Sequence, residues 1–238
     1  MKVRIFDHAA EASRAVARVI ARQLASQPDS VLGLPTGRTS VPVYRELVRL
    51  RPDFSRAHTF NLDEFVGLSA QHRRSFRAFM DRHLFCRVNI PTGHVNFLDG
   101  AAKDLDAECA RFEDAIVAAG GIDLLVLGIG ANGHIGFNEP GAALFARTHR
   151  ARLTAATRRA NAGLFAGRPA MVPREALSMG MGTILAARAI VLVATGRSKA
   201  RAIKAMLSGR ITPSVPASFL QLHHDVRLML DRAAASRL

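Results

Sequence analysis

The sequence has few of the residues on which several large classes of protein depend. Only two of its 238 residues are cysteines, Cys86 and Cys109, and their spacing fits neither a disulfide framework nor a zinc module. No apolar run approaches the ~20 residues that span a bilayer. The N-terminal segment MKVRIFDHAA also lacks the apolar stretch of a signal peptide. We therefore expect a cytoplasmic protein with no membrane partner.

Lysines and aromatic residues are scarce, whereas arginine is in excess. The net charge is +14, and only four of the 33 basic residues are lysines. Such a charge favours an anionic partner, either nucleic acid or a phosphorylated metabolite, although an arginine-rich composition also arises from genomic bias. Nucleic-acid-binding surfaces usually mass basic residues with aromatics between them. Here the arginines are scattered and aromatics make up only 6%, so we expect no nucleic-acid partner.

Apolar segments with strand character alternate along the chain with segments of helical periodicity. The pattern predicts strands at 2–6, 30–35, 58–62, 94–98, 122–129, 150–154, 176–180, 189–195 and 225–230, and helices at 9–26, 41–50, 75–88, 102–120 and 197–209. This alternation indicates one α/β domain over residues 1–238, with a mostly parallel, Rossmann-like sheet and helices on both faces. The least regular segment, 155–175, is interpreted as a surface loop or a mobile lid over a site.

Two turns that follow predicted strands suit a phosphate. Ligands of open parallel sheets bind outside the carboxyl ends of the strands. After the second strand, the turn Thr36-Gly37-Arg38-Thr39 leads into a helix and offers hydroxyls and backbone N–H groups to an anion; the alternative is an ordinary capped turn. After the eighth strand, Lys199 stands where the chain enters a helix and suits a phosphate as a point charge; the alternative is a surface lysine.

Adjacent carboxylates, Asp63 and Glu64, follow the third predicted strand. Neighbours in a strand face opposite sides, so at most one of the two faces a given pocket. A carboxylate in that position can remove a carbon-bound proton. The alternative is a solvated acidic turn.

The stretch GIGANGHIGFNEP, residues 128–140, follows the apolar run IDLLVL, residues 122–127. Its four glycines allow sharp turns and close approach to a ligand. His134 can exchange protons with a hydroxyl near neutral pH, and Asn132 and Glu139 lie near it in the sequence as groups that would orient its ring. The alternative is a glycine-rich turn with a structural histidine.

Together these segments resemble the glucosamine-6-phosphate deaminases, within a wider group that includes sugar-phosphate isomerases and 6-phosphogluconolactonases. The similar runs keep the family order from about residue 30 to 225: LGLPTGRTSVPVYREL, FNLDEFVGL, SFRAFMDRHLF, LGIGANGHIGFNEPG, LTAATRRANAGLF, ALSMGMGTIL and GRSKARAI. The run GHIGFNEP is the specific one, because the lactonases carry a GHTASLFP-like run at that place.

The resemblance implies conversion of glucosamine 6-phosphate and water to fructose 6-phosphate and ammonia, with no metal and no nicotinamide or pyridoxal cofactor. By this resemblance Asp63 is the base that moves a proton between C2 and C1, and His134 opens the pyranose ring with Glu139 and Asn132 as companions. The implied phosphate-binding residues are Thr36, Gly37, Thr39, Arg158 and Lys199, with Arg38 as a further candidate where many members have a small residue.

Two departures from the family pattern carry expectations of their own. Many members have aspartate where this chain has Asn132, so we expect an altered pH dependence with activity retained. Longer members bind an N-acetylated sugar phosphate as activator, through a basic cluster after NEP and a C-terminal tyrosine. Here that region reads GAALFARTHRARLT and the only tyrosine is Tyr44, so we expect no such activation.

Three alternatives remain open on the sequence. One is a 6-phosphogluconolactonase-type hydrolase, and another is a sugar-phosphate-binding regulator without turnover. The third is the same deamination of galactosamine 6-phosphate, since one hydroxyl contact decides between the C4 epimers. Oligomeric state, including a homo-oligomer, is also open.

Overall fold

The computed structural model describes all residues, 1–238, as alternating strands and helices. The strands are β1 Lys2–Phe6, β2 Val31–Leu34, β3 His58–Asn61, β4 Asp63–Phe65, β5 Val95–Asn96, β6 Leu124–Leu127, β7 His149–Arg152, β8 Glu175–Ser178, β9 Ala189–Ala194 and β10 Val226–Asp231. The α-helices are α1 Ala9–Ser26, α2 Ser40–Leu50, α3 Phe76–His83, α4 Leu105–Ala118, α5 Ala155–Asn161, α6 Met181–Leu185 and α7 Ala200–Met206. No helix is both long enough and apolar enough to cross a membrane.

Seven strands form one parallel sheet in the order β1-β10-β9-β6-β2-β3-β5. The central strand β6 shows why it is buried on both faces. Leu125 and Leu127 pack in one hydrophobic core, and Leu124 and Val126 pack in a second core on the opposite face. Because alternate residues of a strand face opposite sides, a continuous apolar run is required here. The predicted α/β fold with a mostly parallel sheet is confirmed.

A second, three-stranded antiparallel sheet was not predicted. Its order is β4-β8-β7, and it places Asp63 opposite Ser178. The strand predicted at 58–62 is thus followed at once by β4, which leaves the parallel sheet and pairs with a segment far along the chain. Two of the predicted strands, at 150–154 and 176–180, belong to this small sheet, which lies next to the carboxyl edge of the large one.

Several predicted boundaries were wrong for identifiable reasons. The helix predicted at 102–120 begins at Leu105, because the side chain of Asp104 caps it by accepting from the N–H groups of Asp106 and Ala107. The helix predicted at 75–88 ends at His83 and continues as a single 3₁₀ turn. The predicted loop 155–175 is largely helical: it contains α5 and two short 3₁₀ helices, Ala162–Phe165 and Pro169–Met171.

Candidate active site

Four turns lie side by side at the carboxyl edge of the parallel sheet. Strands β9, β6, β2 and β3 are consecutive in the parallel sheet and run in the same direction. The turns after them contain Lys199, His134, Thr36 and Asp63, respectively. Since neighbouring strands are ~4.8 Å apart, these turns share an edge only about 15 Å across. The sheet therefore gathers the four segments that the sequence marked.

The turn after β2 is held rigidly against the first residues of α2. Gly37 has a φ of +109°, which favours glycine, and Ser40 Oγ donates a 2.7 Å hydrogen bond to Gly37 O. The buried phenol of Tyr44 donates to Pro35 O, at the start of the turn. The side chains predicted to meet a phosphate here are Thr36 and Thr39, which are half-buried, and Arg38, which is exposed.

Asp63 is a buried carboxylic acid at the head of β4. Its side chain is nearly closed off from solvent, and Oδ1 has no hydrogen-bond partner. Burial and, next, the charge of Glu64 raise the pKa of Asp63 from its ordinary 3.8 to about 8, although the hydroxyl of Thr36 acts in the opposite direction. An unpartnered, desolvated carboxyl group with a strongly raised pKa is typical of a group that exchanges protons.

Glu64 has a different, structural role. It is 1% exposed, and its carboxylate accepts hydrogen bonds from the backbone N–H groups of Phe65, Phe76 and Arg77 at 2.9–3.1 Å. Two of these donors belong to the first turn of α3, where a carboxylate is favoured by the helix dipole. Neither carboxylate is a solvated acidic turn: one serves as a helix cap, and the other is left free for chemistry.

The glycine-rich loop after β6 folds His134 tightly against its own backbone. A Cβ added at Gly130 would lie 2.4 Å from the imidazole ring of His134, so only glycine fits beneath the ring. Gly136 has a φ of +57° and faces Ser178, whose Oγ would lie 3.0 Å from an added Cβ. Gly128, by contrast, has no contact that excludes a side chain. Gly133 has a φ of +90°, so it too favours glycine. Three of the four glycines of the loop therefore occupy positions that need glycine, whereas Gly128 does not.

Asn132, His134 and Glu139 form one hydrogen-bonded cluster. Asn132 Nδ2 donates to Glu139 Oε2 at 2.9 Å, and Asn132 Oδ1 accepts from the backbone N–H of His134 at 3.3 Å. His134 Nδ1 lies 3.6 Å from the same Glu139 oxygen, which is an ion-pair distance and longer than a hydrogen bond. The ring nitrogen is buried without a hydrogen-bond partner. The carboxylate is thus placed to orient the imidazole and to stabilise its charged form.

The carboxylate of Glu139 is held in its ionised form by its neighbours. Burial acts to raise its pKa, but the nearby imidazole of His134, with contributions from Thr157 and Asn132, outweighs burial and lowers the pKa to about 2. Thr154 Oγ1 also donates to Glu139 Oε1 at 3.3 Å. Sequence reasoning missed both threonines. The signal was the cap position of Thr154, whose hydroxyl accepts the N–H of Thr157 at the start of α5.

Lys199 and Arg38 lie near enough for their charges to interact, and we call this region the cationic end of the site. Burial, and next the positive charge of Arg38, lower the pKa of the half-buried Lys199. Neither side chain has a carboxylate within ion-pairing distance. The turn that contains Lys199 is fixed by Asp231, both of whose carboxylate oxygens accept the N–H of Gly196 at 3.0 Å. Two unpaired cations brought together in this way favour an anionic ligand.

Arg158, also predicted to bind phosphate, has its donors occupied elsewhere in this structure. Its Nε donates to Val172 O at 3.1 Å, and one terminal nitrogen donates to Pro169 O and Ala170 O at 3.1 and 3.2 Å. These contacts tie α5 to the 3₁₀ helix Pro169–Met171. The guanidinium of Arg158 is thus engaged by backbone carbonyl groups, whereas the charge of Arg38 acts on Lys199.

Fold and candidate site together define an α/β protein whose candidate functional residues follow adjacent strands at the carboxyl edge of a parallel sheet, where such proteins bind their ligands. The chain belongs to the family of glucosamine-6-phosphate isomerases/6-phosphogluconolactonase, which it matches over residues 6–229. Among curated relatives, the glucosamine-6-phosphate deaminase of Halothermothrix orenii is 47% identical over 242 residues and covers 100% of both chains. Glucosamine-6-phosphate deaminase 2 of Bacillus subtilis is 45% identical over 243 residues, covering 100% of this chain and 98% of the relative.

Solved structures agree with this family membership. A monomeric glucosamine-6-phosphate deaminase superimposes with a TM-score of 0.97 at 42% identity, over 100% of both chains. The 6-phosphogluconolactonase of Trypanosoma cruzi gives a TM-score of 0.78 at 19% identity, over 100% of this chain and 96% of that one. At that identity the lactonase shares the fold alone.

Proposed function

We propose that this protein is a glucosamine-6-phosphate deaminase, which converts glucosamine 6-phosphate and water to fructose 6-phosphate and ammonia. The observation that carries the proposal is the grouping of a free buried acid, an oriented histidine and unpaired cations after four adjacent strands. The run GHIGFNEP and the deaminases at 45–47% identity favour this reaction over the lactonase alternative.

The phosphate of the substrate binds at the cationic end, away from the reacting carbons. Lys199 and Arg38 supply charge, and Thr36, Gly37 and Thr39 supply hydroxyl and backbone donors at the N-terminus of α2. Gripping the phosphate provides binding energy that positions C1 and C2 of the sugar. Arg158 joins this set only if it exchanges its carbonyl contacts for the phosphate. Arg158 lies in the segment 155–175, and its present contacts stay within that segment. We propose that this segment covers the bound sugar.

His134 opens the pyranose ring. Ring opening moves a proton from the C1 hydroxyl and delivers a proton to the ring oxygen, and an imidazole can do both in turn. The ionised Glu139, 3.6 Å from Nδ1, stabilises the imidazolium form. Asn132 holds Glu139 by a hydrogen bond but contributes no charge of its own.

Asp63 then transfers the proton between the two carbons. It removes the proton from C2, electrons move towards the C1 carbonyl, and the enediol-type (enolamine) intermediate forms. Return of the proton to C1 gives an imine at C2, which water hydrolyses to the ketone with release of ammonia. A carboxyl group with a pKa of about 8 is a stronger base than an ordinary carboxylate, and the positively charged amino group of the substrate favours the ionised form on binding.

The test is to incubate the purified protein separately with glucosamine 6-phosphate and galactosamine 6-phosphate and to measure released ammonia and fructose 6-phosphate or its C4 epimer. We expect equimolar ammonia and ketose from the glucosamine ester. Hydrolysis of 6-phosphogluconolactone without ammonia release from either amino sugar would support the lactonase. Binding of the amino-sugar phosphates without turnover would support the regulator.

A further inference from the structure

Two parts of the site, Asp63 and the loop that contains His134 and Glu139, are joined through the segment Ser178–Met179 at the end of β8. Ser178 is the last residue of β8 and pairs with Asp63 across the antiparallel sheet. The backbone N–H of Met179 donates to Leu62 O at 2.7 Å, which ties the segment leading into Asp63 to the same point. Asp63 is therefore fixed by pairing with β8, and it follows β3 in the chain with only Leu62 between them.

The same two residues also hold the loop that carries the histidine cluster. Ser178 Oγ accepts the backbone N–H of Phe137 at 2.9 Å, and Asn138 Nδ2 donates to Met179 O at 2.9 Å. Phe137 and Asn138 directly precede Glu139. Ser178 is completely buried, so its hydroxyl has no contact with solvent that would explain its polarity.

We propose that Ser178 is a positioning residue, whose hydroxyl fixes the register of the His134–Glu139 loop relative to the Asp63 carboxyl group. The inference rests on the proposed deaminase function and adds a residue to it. Ring opening and proton transfer act on neighbouring carbons of one bound sugar, so the two groups must keep a fixed separation. The hydrogen bond from the Phe137 N–H to the Ser178 hydroxyl links the loop directly to the residue that pairs with Asp63, beside the second link through Asn138, Met179 and Leu62.

Removing the hydroxyl loosens this link without releasing the loop. The Phe137 ring still packs against Phe65 and Phe76, with centroids 5.8 and 6.0 Å away. A buried N–H without an acceptor is unfavourable, so the loop shifts until the donor finds another partner. The phosphate-binding turns lie on β2 and β9 and keep their own contacts. The expected consequence is impaired chemistry with substrate binding retained.

The experiment compares Ser178→Val with Ser178→Thr. The two variants add side chains of almost the same size and shape, and only threonine keeps a hydroxyl that can accept from Phe137. We expect kcat of S178V to fall about 100-fold, as displacements of about 1 Å in catalytic geometry do, with KM for glucosamine 6-phosphate within about twofold of wild type. S178T should retain most of the wild-type kcat, with both melting temperatures measured alongside.

Several outcomes would overturn the inference. Equal kcat for S178V and S178T would show that the hydroxyl does not matter. A fall in kcat accompanied by a comparable rise in KM in S178V would show a general structural defect. If S178V does not fold, Gly136→Ala tests the same contact by pushing a Cβ to 3.0 Å from Ser178 Oγ; an unchanged kcat in G136A would then refute the proposal. Absence of ammonia release by the wild type would refute the proposed function itself. Ammonia release by the wild type together with unchanged kcat in the variants would refute this inference alone.

Discussion

Replacing Asp63 with asparagine should greatly slow turnover and, at the same time, stabilise the fold. The carboxyl group is buried, one of its oxygens has no partner, and its pKa rises from 3.8 to about 8. Between these two values the folded protein keeps a proton that the unfolded chain releases. The free energy of unfolding therefore falls by about 1.4 kcal/mol per pH unit in this window and becomes independent of this group above about pH 8.

The size of this change in the free energy of unfolding follows from the interval between the two pKa values. At pH 7 the destabilisation reaches about 4 kcal/mol as an upper bound, because denatured-state structure and relaxation reduce it. Asparagine never ionises and is free of this cost, so D63N should be more stable by about 1–4 kcal/mol at pH 7. For a chain of this size each kcal/mol raises Tm by about 2–4 °C. Turnover should drop by a factor of about 100–10,000, the usual contribution of a positioned base.

The assay is urea unfolding of wild type and D63N at several pH values from 4 to 9, with ammonia release measured on the same preparations. Asp29→Asn, at an exposed position without hydrogen bonds, is the control and should change neither the free energy of unfolding nor the rate of ammonia release. The difference in stability between D63N and wild type should grow from pH 4 to pH 8 and then stay constant. A difference that is absent or flat across this range would refute the reasoning about burial. Near-wild-type turnover in D63N would remove Asp63 from the mechanism.

Four further predictions concern other parts of the site. Lys199→Ala should raise KM for glucosamine 6-phosphate about tenfold or more, since a charged hydrogen bond is lost, while Lys204→Ala, at an exposed position on the following helix α7, should leave KM unchanged; equal effects would argue against a phosphate role. Gly130→Ala forces a Cβ to 2.4 Å from the His134 ring and should lower kcat about 100-fold, whereas Gly128→Ala, with open space around it, should be nearly neutral. Measured kcat/KM should rise with pH and level off above about pH 8, as free Asp63 ionises; a plateau already reached at pH 5 would contradict the raised pKa. Addition of N-acetylglucosamine 6-phosphate should not stimulate the initial rate, and a clear stimulation would reveal an activator site despite the GAALFARTHRARLT segment.

The elements that sequence patterns predicted well are those with a strong local signal. Helix α1 was predicted with the bounds that the structure shows, because its apolar residues recur at helical spacing on one face. Strands β6 and β9 are continuous apolar runs, which are typical of the middle of a parallel sheet. The small antiparallel sheet gave no such signal, because β4 has three residues and exists through pairing with β8, far along the chain.

The site shows the same division between local and distant causes. The glycine-rich loop, the adjacent carboxylates and Lys199 were marked by strand-end position and by resemblance, and the structure places their turns along one edge. The burial that raises the pKa of Asp63 depends on segments packed around it and cannot be read from its neighbours in sequence. The carbonyl contacts of Arg158 and the acceptor role of Ser178 likewise depend on partners brought near only by folding.

The central claim is that these turns bind one sugar phosphate between Asp63 and His134. The most direct measurement is a crystal structure of D63N, which should bind glucosamine 6-phosphate without consuming it. The account predicts the phosphate on Lys199 and the Thr36–Thr39 turn, C2 within reach of the residue 63 side chain, and the ring oxygen or C1 hydroxyl near His134. A sugar bound away from this edge, or one that touches only one of the two side chains, would contradict it.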